Sequence, residues 1–178
     1  MKALIVATAL LGCACLVLSH APGTMRTVHA ASLPKVVLHA ESIKPREIEQ
    51  RTGEMITKDY AQAWQDFGAC MDSNRTDLLN DYFTGEAKLR LTLLISDQRK
   101  SGIRTQYEDH GHEVKAVFYS PDGGEMQLED LAQLEIQVFD GQKIIYSSTT
   151  PQKYLVLMTP GADRWYVRSL EPVGDDVF

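Results

Sequence analysis

The stretch that decides the fold is Glu113-Val114-Lys115-Ala116-Val117-Phe118-Tyr119, followed by Ser120-Pro121-Asp122-Gly123-Gly124. Val114, Ala116 and Phe118 alternate with Glu113, Lys115 and Tyr119, the two-residue period of a strand with one apolar face. The Pro-Asp-Gly-Gly run that follows is a turn. Downstream the period returns: Leu134, Ile136 and Val138 alternate with Glu135 and Gln137, and Asp140-Gly141 signals a hairpin. Ile144 to Thr149 and Tyr154 to Met158 are rich in β-branched and aromatic residues. Pro160-Gly161-Ala162-Asp163 then turns into a last strand, Trp165 to Leu170. The C-terminal half therefore reads as an antiparallel meander.

Before Gly102 the period is helical. Ile48, Met55/Ile56, Tyr60, Ala63/Trp64, Phe67 and Cys70/Met71 form one apolar stripe. A long amphipathic helix is expected, with Pro45 in its first turn, Glu47 and Glu49 near its N-terminus, and Asp72-Ser73-Asn74 at its end. A short second helix is expected from Thr76. A third, with Thr84 as its cap, runs from Gly85 through Leu89, Leu93 and Ile95. Leu91 and Leu94 make it apolar on more than one side, so it is expected between the sheet and another helix. Val36-Val37-Leu38 offers an edge strand. Helices followed by a meander define an α+β fold with N-terminal helices packed on a curved antiparallel sheet.

The chain has 178 residues, enough for a core that needs no disulfide or metal staple. Its formal net charge of -6, without a Lys/Arg run, argues against nucleic acid as a partner. The first thirty residues are different. Met1-Lys2 precedes an apolar run, Ala3 to Leu18, and Val28-His29-Ala30 before Ala31 offers the small residues a signal peptidase reads. A cleaved secretory signal over 1–30 is expected. The alternatives are an anchor through residues 3–18 and lipidation at Cys13, the two ways in which the N-terminal segment would bring the chain to a membrane. The segment 31–44 reads as a linker or arm, 45–173 as one domain and 174–178 as a tail. Cleavage would leave Cys70 alone, beside Met71 in the helical stripe, where a buried structural thiol is expected.

The element order resembles the cone-shaped nuclear transport factor 2-like superfamily, also called ketosteroid isomerase-like or cystatin-like. The residues that carry the likeness are Tyr60-Ala61-Gln62-Ala63-Trp64 on the long helix, Asn74 to Phe83, and the closing Arg164-Trp165-Tyr166-Val167. Leu79-Asn80-Asp81-Tyr82-Phe83-Thr84-Gly85 is similar to the helix-to-helix step of extracytoplasmic members without known chemistry. The resemblance implies a helix-covered cone. It also implies a range of functions, from isomerases and dehydratases to accessory envelope domains and protein-docking modules, so the fold alone selects none. Homodimerisation through the sheet is a further implication.

Tyr107-Glu108-Asp109-His110-Gly111-His112 is the most chemically suggestive stretch. In an unbroken strand His110 and His112 would share one side, and two imidazoles there could begin a Zn²⁺ site or present an acid/base to the cone. Gly111 signals a bend or bulge, and a polar strand entry is the plainer reading. Trp64, Tyr82, Phe83 and Phe118, with Tyr107, Asp109, His110 and His112, are the residues expected to line any ligand pocket; the large ones could equally fill the cone. Asn74-Arg75-Thr76 fits a glycosylation tripeptide, though a helix cap is the simpler job. Glu125, Glu129, Asp130 and Glu135 read as a solvated acidic surface. No cofactor or metal set is recognisable. The functional expectation is an exported non-catalytic accessory domain that binds a protein partner in the cell envelope or extracellular space. The alternative is a small apolar-ligand binder or an isomerase/dehydratase using the cone.

Overall fold

The computed structural model describes residues 32–41 and 43–174. The expected signal segment and Cys13 lie outside these residues. Six strands and three helices follow in the order β1 (Val36–His39), α1 (Gln50–Ser73), α2 (Leu79–Tyr82), α3 (Gly85–Lys100), β2 (Ile103–Tyr119), β3 (Met126–Asp140), β4 (Lys143–Ser148), β5 (Gln152–Pro160) and β6 (Trp165–Pro172). This is the expected α+β arrangement of helices on a sheet. The strands are ordered β1-β2-β3-β5-β6, with β4 paired to β3 alone. The sheet is mixed, because β1 runs parallel to β2 while the other pairs are antiparallel.

The stripe on α1 is buried as its spacing dictates: Ile56, Tyr60, Ala63, Trp64, Phe67, Cys70 and Met71 all face the sheet. The helix begins at Gln50, later than Pro45 suggests; Pro45 is instead extended and bridges Tyr119. It ends where expected, on Asn74 in a left-handed conformation at φ 55. The Asn74 amide donates to the Ile103 carbonyl at 2.8 Å and its oxygen accepts from Gln98 at 2.7 Å, so this side chain ties α1 to α3 and β2. Asp59, buried on the same face, accepts the Trp165 backbone N–H at 2.8 Å and pins β6 to the helix. Burial pushes its carboxyl above the usual range, against the bond from Trp165.

The third helix corrects the reading of its faces. Ala87, Leu91 and Ile95 are buried, whereas Leu89 and Leu93 are more than half exposed. Leu89/Leu93 and Leu91/Ile95 are both spaced i, i+4, and packing of α3 against β6 and β2 selects the second pair. Thr84 does precede α3, but without a side-chain capping bond.

Candidate functional site

The inner surface of β2 is set by two bulges. Thr105, Tyr107 and Asp109 face inward until the register shifts between Asp109 and Gly111. Gly111 takes φ +125, its N–H donates to Asp109 Oδ1 at 2.8 Å, and a Cβ there would stand 3.1 Å from the Lys35 carbonyl oxygen. Only glycine adopts that conformation without strain. After the bulge His112, Val114 and Ala116 face inward, until a second shift between Ala116 and Phe118 turns Tyr119 to the core. Two expectations fall with these bulges. His110 and His112 do not act together: the His110 side chain is half exposed, while that of His112 has no exposure. Phe118 is only half-buried, and Tyr119 holds the core position that its alternation assigned to it.

What meets His112 comes from its own strand, from β3 and from α1. On β3, Met126, Leu128, Asp130, Ala132, Leu134 and Ile136 form the buried parity, and Asp130 is the carboxylate in that apolar row. It is 2% exposed, which overturns the reading of Asp130 as surface acid. Its Oδ2 lies 2.8 Å from His112 Nδ1 and accepts the Tyr60 hydroxyl at 2.7 Å. Asp109 Oδ2 takes the other ring nitrogen, Nε2, at 2.9 Å. Trp64, one turn along α1 from Tyr60, lies against the imidazole with ring centroids 4.7 Å apart at 36°, and Tyr60 meets it edge-on at 5.7 Å. Tyr154 of β5, opposite Asp130 in the ladder, packs on Trp64 at 5.2 Å.

Burial alone would lower the His112 pKa, but hydrogen bonds and charge from Asp109 and Asp130 outweigh it and raise the pKa to about 9. At neutral pH the ring is an imidazolium that donates both N–H groups to carboxylates. It has no lone pair with which to act as a base, and aromatic rings close two of its sides. An ion cluster of this kind specifies packing and costs desolvation. Among the described residues, four buried side-chain polar atoms lack a hydrogen-bond partner: Asp130 Oδ1, the Tyr107 and Tyr154 hydroxyls, and Trp64 Nε1. Desolvation raises both tyrosine pKa values, so both phenols stay protonated.

The structure thus brings Trp64, Asp109 and His112 together, and adds Tyr60, Asp130 and Tyr154. Tyr107 lies near the cluster, against Phe67 at 5.2 Å. Tyr82 does not join it; the Arg164 guanidinium covers its ring at 5.2 Å. Phe83 is buried and bridges Val167. Cys70 is buried, as its place in the stripe predicts, and desolvation pushes its thiol up to about 11.

Two surface features stand outside the cone. Strand β4 pairs with β3 only along Ile136–Asp140, and Ile144, Ile145 and Tyr146 on it are 48%, 52% and 55% exposed. A groove of about 610 Å³ lies between β1 and α1, floored by Leu38, Ile48, Gly53 and Ala61 and rimmed by Glu54 and Lys58. Among the described residues no helix is long and apolar enough to cross a membrane.

Helices packed on a curved mixed sheet of six strands are the α+β fold that the nuclear transport factor 2-like resemblance implies. The chain is similar to the intermembrane space region of the chloroplast protein ARC6, with a TM-score of 0.60 and 15% identity over 72% of this chain and 99% of that one. It is also similar to a Novosphingobium aromaticivorans protein assigned as a scytalone dehydratase, with a TM-score of 0.52 and 9% identity over 70% of this chain and 87% of that one. At these identities the likeness is one of fold. No family model matches the chain, and no curated protein matches it.

Proposed function

We propose that the chain is an exported, non-catalytic accessory domain that docks another protein by adding an extended segment of it to the free edge of β4. The observation that carries this reading is the run Ile144-Ile145-Tyr146: three consecutive residues about half exposed on a strand with one edge unpaired among the described residues. An apolar edge strand is ordinarily blunted by charge, proline or cover, because its free N–H and C=O groups template pairing. Here a partner strand would gain backbone hydrogen bonds from the edge and side-chain burial from the two isoleucines and the tyrosine. The groove beside β1 offers mostly apolar floor and no such ladder. The closed ion cluster in the cone supports the same reading, since its imidazolium has no free nitrogen to give a substrate. Export rests on the apolar run at residues 3–18, and the extramembrane location named for the ARC6 region is compatible with it.

The test is recovery of a bound protein by the tagged chain in its own cells, compared with an Ile144→Ser/Ile145→Thr/Tyr146→Ser variant. The expected result is one protein species recovered in stoichiometric amount with the parent chain and lost with the variant. Equal recovery by both removes β4 as the docking edge, and recovery of a second copy of the chain alone would make the edge a dimer contact.

A second reading is a small-ligand site or isomerase/dehydratase inside the cone. The four unpartnered polar atoms around Asp130, Tyr107, Tyr154 and Trp64 favour it. Native mass spectrometry decides between the two. A stoichiometric small molecule on the chain, or turnover of small enones, would displace the docking proposal; the bare chain mass supports it.

A further inference from the structure

The outer face of β2–β3 carries a second cluster, independent of the cone and of β4. Glu108 on β2 and Glu135 on β3 are direct partners in the antiparallel register, two like charges facing each other across one ladder step. Such a pair is unfavourable unless something positive lies between them. Among the described residues neither carboxylate has a Lys or Arg ion pair; the charged neighbour of Glu108 is His110, at 4.0 Å. One ligand atom from each of Glu108, His110 and Glu135 lies within 4.8 Å of the others. The bulge at Gly111 takes His112 to the interior and leaves His110 on the outer face with the two glutamates.

We propose that Glu108, His110 and Glu135 bind a divalent transition metal, Zn²⁺ foremost, on the outer face of the sheet. One imidazole nitrogen and two carboxylate oxygens are a borderline donor set, suited to Zn²⁺ and its neighbours in the first row more than to Ca²⁺, which takes oxygen alone. Edges of a tetrahedron around Zn²⁺ are ~3.4 Å, so the side chains would close in on the ion from their present spacing of up to 4.8 Å. Two ligands sit on one strand and the third on its hydrogen-bonded neighbour, so the backbone positions are fixed by the ladder. Gln137, outside the cluster, donates its amide to Glu135 Oε1 at 2.7 Å and holds that carboxylate in place, the role outer groups play in metal sites. Three protein ligands leave a position open to solvent. That position could take a side chain from another molecule or a water.

Isothermal titration calorimetry of the full chain with zinc chloride tests the site. The expected result is one saturable site, weakened more than about tenfold by His110→Ala and by Glu135→Gln, and about tenfold by Gln137→Ala. His39→Ala, which removes the other exposed His–Glu pair with its 2.7 Å contact to Glu113, leaves affinity unchanged. Co²⁺ substitution gives a second readout, a visible absorption band present in the parent chain and absent in His110→Ala. The ligands are partly or largely exposed, so the variants keep the metal-free melting temperature. Absence of a saturable site, binding by His110→Ala at parent affinity, or equal weakening by His39→Ala would overturn the proposal.

Discussion

On the inner face of the β2–β3 pair, His112 is sealed from solvent and bonded through both ring nitrogens. On the outer face, two residues away, the His110 side chain is half exposed and its Nε2 lies 4.0 Å from Glu108 Oε1. The two imidazoles share a strand, a sequence neighbourhood and an acidic environment. They differ because Gly111 inserts one residue into the ladder and converts an expected pair into two unrelated sites. The comparison extends along β3, whose inner row from Met126 to Ile136 is shut while its partner β4 presents Ile144, Ile145 and Tyr146 outward. Under the proposed function the inner polar cluster serves packing, and the outward faces meet other molecules.

Removing an inner partner is expected to have the largest effect. His112→Ala leaves Asp109 and Asp130 facing each other without a counterion, and a loss of about 3–5 kcal/mol is expected in urea denaturation. A loss below 1 kcal/mol would mean that the inner site is not a closed ion cluster. Gly111→Ala attacks the device that separates the two histidines. Its φ of +125 and the 3.1 Å approach to the Lys35 oxygen predict a cost of about 1–3 kcal/mol. It should also increase amide exchange in β1, whose pairing with β2 begins at Val36–His112.

The inner charge also sets a pH dependence. The folded pKa of His112 is raised to about 9, above its ordinary value, so its contribution is complete below about 6.5 and is lost as pH rises through 9. Stability should fall over that window by up to about 1.4 kcal/mol per pH unit, and His112→Gln should flatten the slope. A parent chain whose stability is level from pH 7 to 9.5 would contradict a charged His112. The smallest effect on stability belongs to the outer edge: Ile145→Thr should change it by less than about 0.5 kcal/mol. An appreciably larger loss would show that β4 is held by packing rather than presented for use.

Much of the cone was legible because it is written in buried side chains. The α1 stripe and the β3 alternation leave one way to bury both faces. Asp130 was also legible in principle, since its even-numbered position puts it in the apolar row of Leu128, Ala132 and Leu134; an acidic count hides that parity. The two bulges of β2 were not legible beyond the hint of Gly111, because one inserted residue reverses every later face without altering composition. Nor could spacing choose between Leu91/Ile95 and Leu89/Leu93 on α3, which are equivalent until β6 packs on one pair. That β4 is a strand follows from its β-branched residues. That no other described residue covers its outer edge follows from the sheet's branching at β3.

The central claim is that the chain works through the edge of β4 and not through the cone. Site-specific photo-crosslinking in the cells that make it tests this most directly, with the probe at Ile145 and, as control, at half-buried Lys88 on α3. The account expects a discrete protein adduct from position 145 and none from position 88. No adduct from 145, together with a small molecule retained by the chain through purification, would contradict it and return the function to the interior around His112.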